Sequence, residues 1–384
     1  MFVVVCAGCG AELTVPLSRV VLPAHAHQKY GNGIQLPVLM EPGTFAVDPE
    51  PSGPPWRTWD QVDPEEAAAR GIYAPVPVLS DGEAGAIVIA PGDARGTVLI
   101  PEAAGGYCCG LDGGDGPNMA CGACGLPVAS RIDDCSLWQA VWFTPNAVRR
   151  VPVPVRGGGA APLPLSWAEL PAEGSGTPPF EPIASWGSLL GTEHWWSWSP
   201  KWEAAAGRAL AHLLAASEGR PVTVPGGLTA EVFQRALDAL IPAAPLPAGL
   251  PPRRAVLAGP GRPAPDTDAG IFLVPVHPQT GETWAPAGAA DPAGPADSVY
   301  RVPLPFGVWQ WLAFPPAPHL PVPASGGMPD GVLRDDPPPP HPHYPFRADS
   351  GTFRNTLVRL PAARSPWLRE ILEHLVEHMR AGLF

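Results

Sequence analysis

The chain has 384 residues, of which 56 are Pro and 43 Gly, and only 16% are charged, a composition that alone approaches low-complexity sequence. Against this stand 45% hydrophobic residues and 14 Trp, enough to fill a sizeable core, so a folded, loop-rich protein of two domains is expected. The net charge is −12 with no dense basic cluster, which argues against nucleic-acid or anionic-membrane binding, and no run reaches the roughly 18–20 apolar residues that span a bilayer.

Phe2–Cys6 is a short apolar run with no basic region ahead of it. It reads as a strand leading into a metal turn rather than as a secretory signal. The expected compartment is the cytoplasm, where thiols stay reduced and paired cysteines more often mean metal than disulfide. Cys6-Ala7-Gly8-Cys9-Gly10 comes next, then the strand-like run Ala11–Val15. Residues 16–70 are Pro-rich loops with one helical patch, Asp63 to Arg70, where Asp63 caps and Pro64 suits the first turn. Strands are expected at Ala74–Leu79, Ala86–Ala90 and Gly96–Pro101, the last two as a hairpin closed by Pro91–Arg95. Cys121-Gly122-Ala123-Cys124-Gly125 repeats the first turn and is followed by the strand-like Leu126–Ala129. Ser136–Phe143 is a strand or short helix burying Trp138 and Trp142.

A Cys-x-x-Cys turn aims two thiolates to one side, and two such turns complete a tetrahedral site. Gly after the second Cys permits the positive-φ conformation that turns backbone N–H groups toward sulfur. The pair of C-x-x-C-G motifs resembles the zinc-ribbon group, a likeness confined to about twenty residues. That resemblance implies one structural zinc ion held by Cys6, Cys9, Cys121 and Cys124. The usual separation between such pairs is about 12–20 residues, so here the ribbon is split by an inserted lobe (about 11–107). Alternatives stay open: two separate redox pairs, or a local set of Cys109, Cys121, Cys124 and Cys135. Cys108 or Cys109 could also join His25 or His27 in a second, open metal site. The plain reading of Cys108, Cys109 and Cys135 is as small buried hydrophobes near the ribbon.

The first domain thus spans 1–150. Residues 151–198 read as a Pro/Gly/Trp-rich linker, with Trp195, Trp196 and Trp198 docking on the second domain. That domain, 199–384, opens with Ser199-Pro200, a helix start, and an apolar stripe of Trp202, Ala206, Leu210 and Leu213. A strand at Pro221–Val224 precedes a helix after Thr229 that turns Val232, Phe233, Ala236, Leu237 and Leu240 inward. Further strands lie at Arg254–Ala258, Gly270–Val276 and Ser298–Pro303, and the last helix runs from Pro366 to about Arg380. The fold class expected is α+β: a β-rich first unit and a mixed second one with long Pro/Gly-rich loops.

Other motifs carry less. His374-Leu375-Val376-Glu377-His378 matches an inverted zincin pattern, but no carboxylate comes after it to act as third ligand, and a buried stripe of Leu368, Ile371, Leu372, Leu375 and Met379 puts both His on the flank. His341 and His343 sit in a polyproline stretch. Asp112–Asn118 lacks the alternating ligands of a calcium loop. Only two of the 24 basic residues are Lys, and the whole chain resembles proteins of high-GC actinobacteria, a likeness that implies no activity. The sequence therefore suggests a zinc-binding binding or scaffold protein with a protein or small-molecule partner. The alternative is a metalloenzyme with its open site near His25, His27, Cys108 and Cys109.

Overall fold

The structure, a computed structural model, describes residues 1–31, 35–103, 105–106, 108–153, 164–170, 182–186, 196–241, 251–265, 269–286, 299–315, 342 and 344–384. The chain is of mixed α+β class and divides into two compact units. One comprises Met1–Asp63, Val76–Pro164 and Leu189–Gly191; the other comprises Pro64–Pro75, Leu165–Ser188 and Thr192–Phe384.

The first unit is built from β1 (Phe2–Cys6), β2 (Ser18–Arg19), β3 (Thr44–Val47), β4 (Trp56–Thr58), β5 (Val78–Ser80), β6 (Ile87–Ile89), β7 (Thr97–Leu99), β8 (Met119–Cys121), β9 (Pro127–Ile132), β10 (Ala140–Phe143) and β11 (Val148–Pro152). Seven of these form one sheet in the order β2-β3-β6-β10-β9-β8-β7. β1 pairs antiparallel with β11, setting Cys6 opposite Val148. The two sheets share a core in which Val4, Leu13, Leu17, Phe45, Ile89, Val128 and Phe143 are buried beside Cys6 and Cys121. Each large apolar side chain so buried contributes about 1.5–3 kcal/mol.

Two local expectations change. β6 and β7 do not form a hairpin: β6 lies between β3 and β10, while β7 pairs with β8 at the sheet edge. Pro91–Asp93 is a 3-10 turn, and Ala94 bridges Thr14 instead. Residues 11–107 do not stand apart as a lobe, because β2, β3, β6 and β7 belong to the same sheet as β8.

The second unit contains α1 (Pro64–Ala69), β12 (Ala184–Trp186), β13 (Trp196–Trp198), α2 (Pro200–Ser217), β14 (Val222–Thr223), α3 (Leu228–Leu240), β15 (Arg253–Leu257), β16 (Ile271–Val276), β17 (Tyr300–Pro305), α4 (Phe306–Ala313), α5 (Ser350–Leu357), α6 (Pro366–Glu373) and α7 (Leu375–Arg380). β14 to β17 lie in sequence order as a parallel sheet. Buried on both faces, β16 is apolar almost throughout, the pattern that parallel sheets impose. Trp202, Ala206, Leu210 and Leu213 of α2 are all within 1% of full burial, and the five inward residues expected for α3 are buried as well. Within the stretch read as linker, β12 and β13 pair antiparallel. Trp198 sinks into the core, donating its indole N–H to the Tyr344 carbonyl at 3.0 Å. Trp195 lies outside the described residues.

α2 and α5 cross closely at Gly207, where an added Cβ would stand 2.5 Å from the Asp349 carbonyl oxygen. The C-terminal helix is broken at His374, whose φ of −96° and ψ of 15° end α6. The H-x-x-E-H residues therefore do not share one continuous helix, and Met379 is exposed rather than part of the buried stripe. Among the described residues no helix is long and apolar enough to cross a membrane.

Candidate metal centre

Cys6 ends β1, and Cys121 ends β8, so each Cys-x-x-Cys turn begins where a strand stops. The turns are near copies. Gly10 N–H donates to the Cys6 carbonyl at 2.9 Å, and Gly125 N–H to the Cys121 carbonyl at 2.8 Å. Both glycines adopt φ +76°, a conformation that side-chain-bearing residues seldom take. Each chain then doubles back: Cys6 N–H reaches the Ala11 carbonyl and Cys121 N–H the Leu126 carbonyl. The turns face one another across Gly8, which has Leu126, Cys124 and Cys6 side-chain atoms around it.

This facing arrangement brings Cys6, Cys9, Cys121 and Cys124 together, their four sulfurs all within 4.8 Å of one another. Cys6 and Cys124 sulfurs are 3.6 Å apart, as are those of Cys9 and Cys121. Four sulfurs at about 2.3 Å from a central zinc ion stand about 3.8 Å from each other, so the group fits such an ion with little adjustment. Cys6 and Cys121 are buried and Cys9 and Cys124 exposed, leaving one side open for metal entry.

Backbone N–H groups favour negative charge on the sulfurs of Cys9, Cys121 and Cys124. Burial opposes ionisation of Cys121, but N–H groups of Ala123 and Cys124 and the thiols of Cys9 and Cys6 donate to its sulfur and hold it at about 7. The Leu126 N–H favours the Cys124 thiolate, yet hydrogen bonds with Cys9, Cys6 and Cys121, together with burial, push that thiol up to about 12. Cys9 is also raised: the Ala11 N–H and Cys124 favour its thiolate, and burial with Cys121 and Cys6 outweighs them. One thiolate in the pocket thus resists a second. A bound divalent cation removes that resistance, since a coordinating thiol is deprotonated outright.

The remaining sequence candidates go elsewhere. Cys109 and Cys135 are not grouped with Cys121 and Cys124; they gather instead with Cys108 and Asp134. His25 and His27 join neither group. His25 packs its ring on Trp138, with centroids 4.3 Å apart. His27, itself exposed, meets the buried Asp48 carboxylate at 3.1 Å, so both imidazoles are engaged away from the two cysteine groups. Asp112 accepts the Gly114 N–H at 2.8 Å, the turn chemistry expected of that loop. His374 is exposed, its Nδ1 against the Glu370 carbonyl. His341 and His343 lie outside the described residues. Asp134 escapes sequence reading because an Asp pair before a Cys carries no metal-ligand spacing signal; only the fold puts it beside Cys109. No protein-family model, curated protein or solved structure matches the chain.

Proposed function

We propose that Cys6, Cys9, Cys121 and Cys124 bind one structural zinc ion, forming a zinc ribbon whose two turns are separated by most of the first unit. What carries this reading is the convergence of four sulfurs from two like turns, each turn shaped by a positive-φ glycine. The donor set speaks for zinc, the borderline-soft ion for which four thiolates make a closed tetrahedral site. Four thiolates leave no coordination position for substrate, so the ion's task is to hold β1 against β8. The protein on this reading is a zinc-stapled binding or scaffold protein, its partner a protein or a small molecule. Zinc analysis of the purified full-length protein tests it. Each single substitution of the four cysteines by Ser should remove one equivalent of zinc, and unchanged zinc content in any of them would overturn the ligand set.

A further inference from the structure

All seven cysteines of the chain fall into two groups. Cys108, Cys109 and Cys135, which the paired turns do not use, gather around Asp134, with three sulfurs and a carboxylate oxygen all within 4.8 Å of one another. We propose that Cys108, Cys109, Asp134 and Cys135 form a second zinc site, independent of the first and accessible from solvent.

Several features hold Cys109, Asp134 and Cys135 in place before any ion arrives. Asp134 is 3% exposed, and its Oδ1 accepts the N–H of Cys109 at 3.0 Å and of Cys135 at 2.7 Å. One carboxylate oxygen thus ties the two cysteine-bearing segments to each other. Leu111 and Asp133 exchange a pair of backbone hydrogen bonds at 3.0 and 2.7 Å, fixing the register between the segments. Gly110 makes that approach feasible, because a Cβ there would fall 1.9 Å from the Asp133 carbonyl oxygen. The Cys109 sulfur lies 2.9 Å from Asp134 Oδ1 and receives the Cys135 N–H at 3.3 Å.

The residue after Cys135 supplies a second line of support. Ser136 adopts φ +71°, close to the +76° of Gly10 and Gly125, each of which comes directly after the last cysteine of its turn. A residue with a side chain rarely holds this conformation. Ser136 does so with its hydroxyl anchored on the Gly31 carbonyl at 2.8 Å. The backbone after Cys135 is therefore bent as it is after Cys9 and Cys124.

The donor chemistry differs from that of the first site. Three thiolates and one carboxylate suit zinc, and hydrogen bonds from backbone N–H groups orient the carboxylate as they do in metal sites generally. Both groups expose two cysteines, but a carboxylate oxygen is the harder, more easily displaced ligand. This ion could take an external donor in place of Asp134, whereas the four-thiolate site holds no ligand so easily displaced.

Zinc analysis of the reduced, full-length protein, saturated with zinc chloride and desalted, tests the proposal. Two ions per chain are expected. Cys108→Ser and Asp134→Asn should each bind one, with affinity at the second site weakened at least about tenfold. Asn keeps an oxygen for the Cys109 and Cys135 N–H groups, so the turn survives while the charged ligand is lost. Should a variant not fold, ultraviolet sulfur-to-cadmium absorption of the cadmium-loaded wild type decides: seven thiolate equivalents support the site, and four overturn it. One zinc per chain that Cys108→Ser leaves in place would also overturn it. Zinc lost in Cys108→Ser but retained in Cys6→Ser would support this site and overturn the first one.

Discussion

Replacing Cys6 with Ser removes a thiol that is fully buried at the end of β1 and that the proposed site uses as a ligand. The link it would make through the ion to Cys124 closes a loop of 118 residues. Chain-entropy arithmetic for a cross-link of that length gives about 5 kcal/mol. Structural zinc in small domains contributes about 10–16 kcal/mol of apparent binding energy, so the closure figure is a lower bound. The first unit holds about 155 residues, a size at which 1 kcal/mol shifts the melting temperature by about 2–4 °C. Cys6→Ser should therefore melt at least about 10 °C below the wild type and lose one equivalent of zinc. Hydrogen exchange should show where: amides of β1 and β8 lose protection, while those of α2 keep it. A variant that retains the full zinc content of the wild type and melts within about 2 °C of it would refute the assignment.

Zinc uptake should release protons and depend on pH. Cys9 and Cys124 are raised above the ordinary thiol range and must both ionise to bind, so at pH 7 about two protons or more should leave per ion, measurable with an indicator dye. Apparent affinity should then fall about 100-fold or more for each unit of acidification; a pH-independent affinity would contradict thiolate ligation. Gly207→Ala should destabilise by about 1–3 kcal/mol through overpacking against Asp349. A helical Gly→Ala change elsewhere would stabilise by about 1 kcal/mol, so the sign in a denaturant titration decides. His212 is lowered to about 4, chiefly by burial and then by Arg208. A base whose folded pKa lies below its unfolded value costs stability as pH falls from 6.5 toward 4, here about 2–3 kcal/mol. His212→Gln should flatten that part of the stability profile, and an unchanged profile would show the side chain to be solvated. Asp349 caps α5 by accepting the Thr352 N–H at 2.6 Å; Asp349→Ala should cost about 1 kcal/mol in the same titration.

Several helices of the second unit are legible from local instructions: Pro at the first position of α2 and α6, and apolar residues every three or four in α2 and α3. α2 and α3 bury the side chains that this spacing selects. Two helices escaped. α4 is apolar on nearly every residue, so it has no periodic face to read, and α5 is short, opening on a lone Asp cap. Strand pairing was less legible. The Pro91–Arg95 turn suggested a hairpin, but partners come from distant sequence: β6 is claimed by β3 and β10. The grouping of Cys6 and Cys9 with Cys121 and Cys124 was readable from two matching motifs whose local geometry is self-contained. Asp134 beside Cys109 depends on the Leu111–Asp133 bridge, a tertiary contact with no sequence mark.

The membership of Pro64–Pro75 in the second unit bears on the order in which the chain can mature during synthesis. Tyr73 donates its N–H to the Val358 carbonyl at 2.7 Å, and the Arg364 guanidinium sits 4.3 Å over its ring. At about 5–20 residues per second, α1 and its successor loop wait roughly 15–60 s on the ribosome before those partners emerge. Cys6 waits about 6–24 s for Cys124, at the same rate. The thiol site of the first unit can close while the second unit is still incomplete, and zinc captured then would protect the early strands until the last helices arrive.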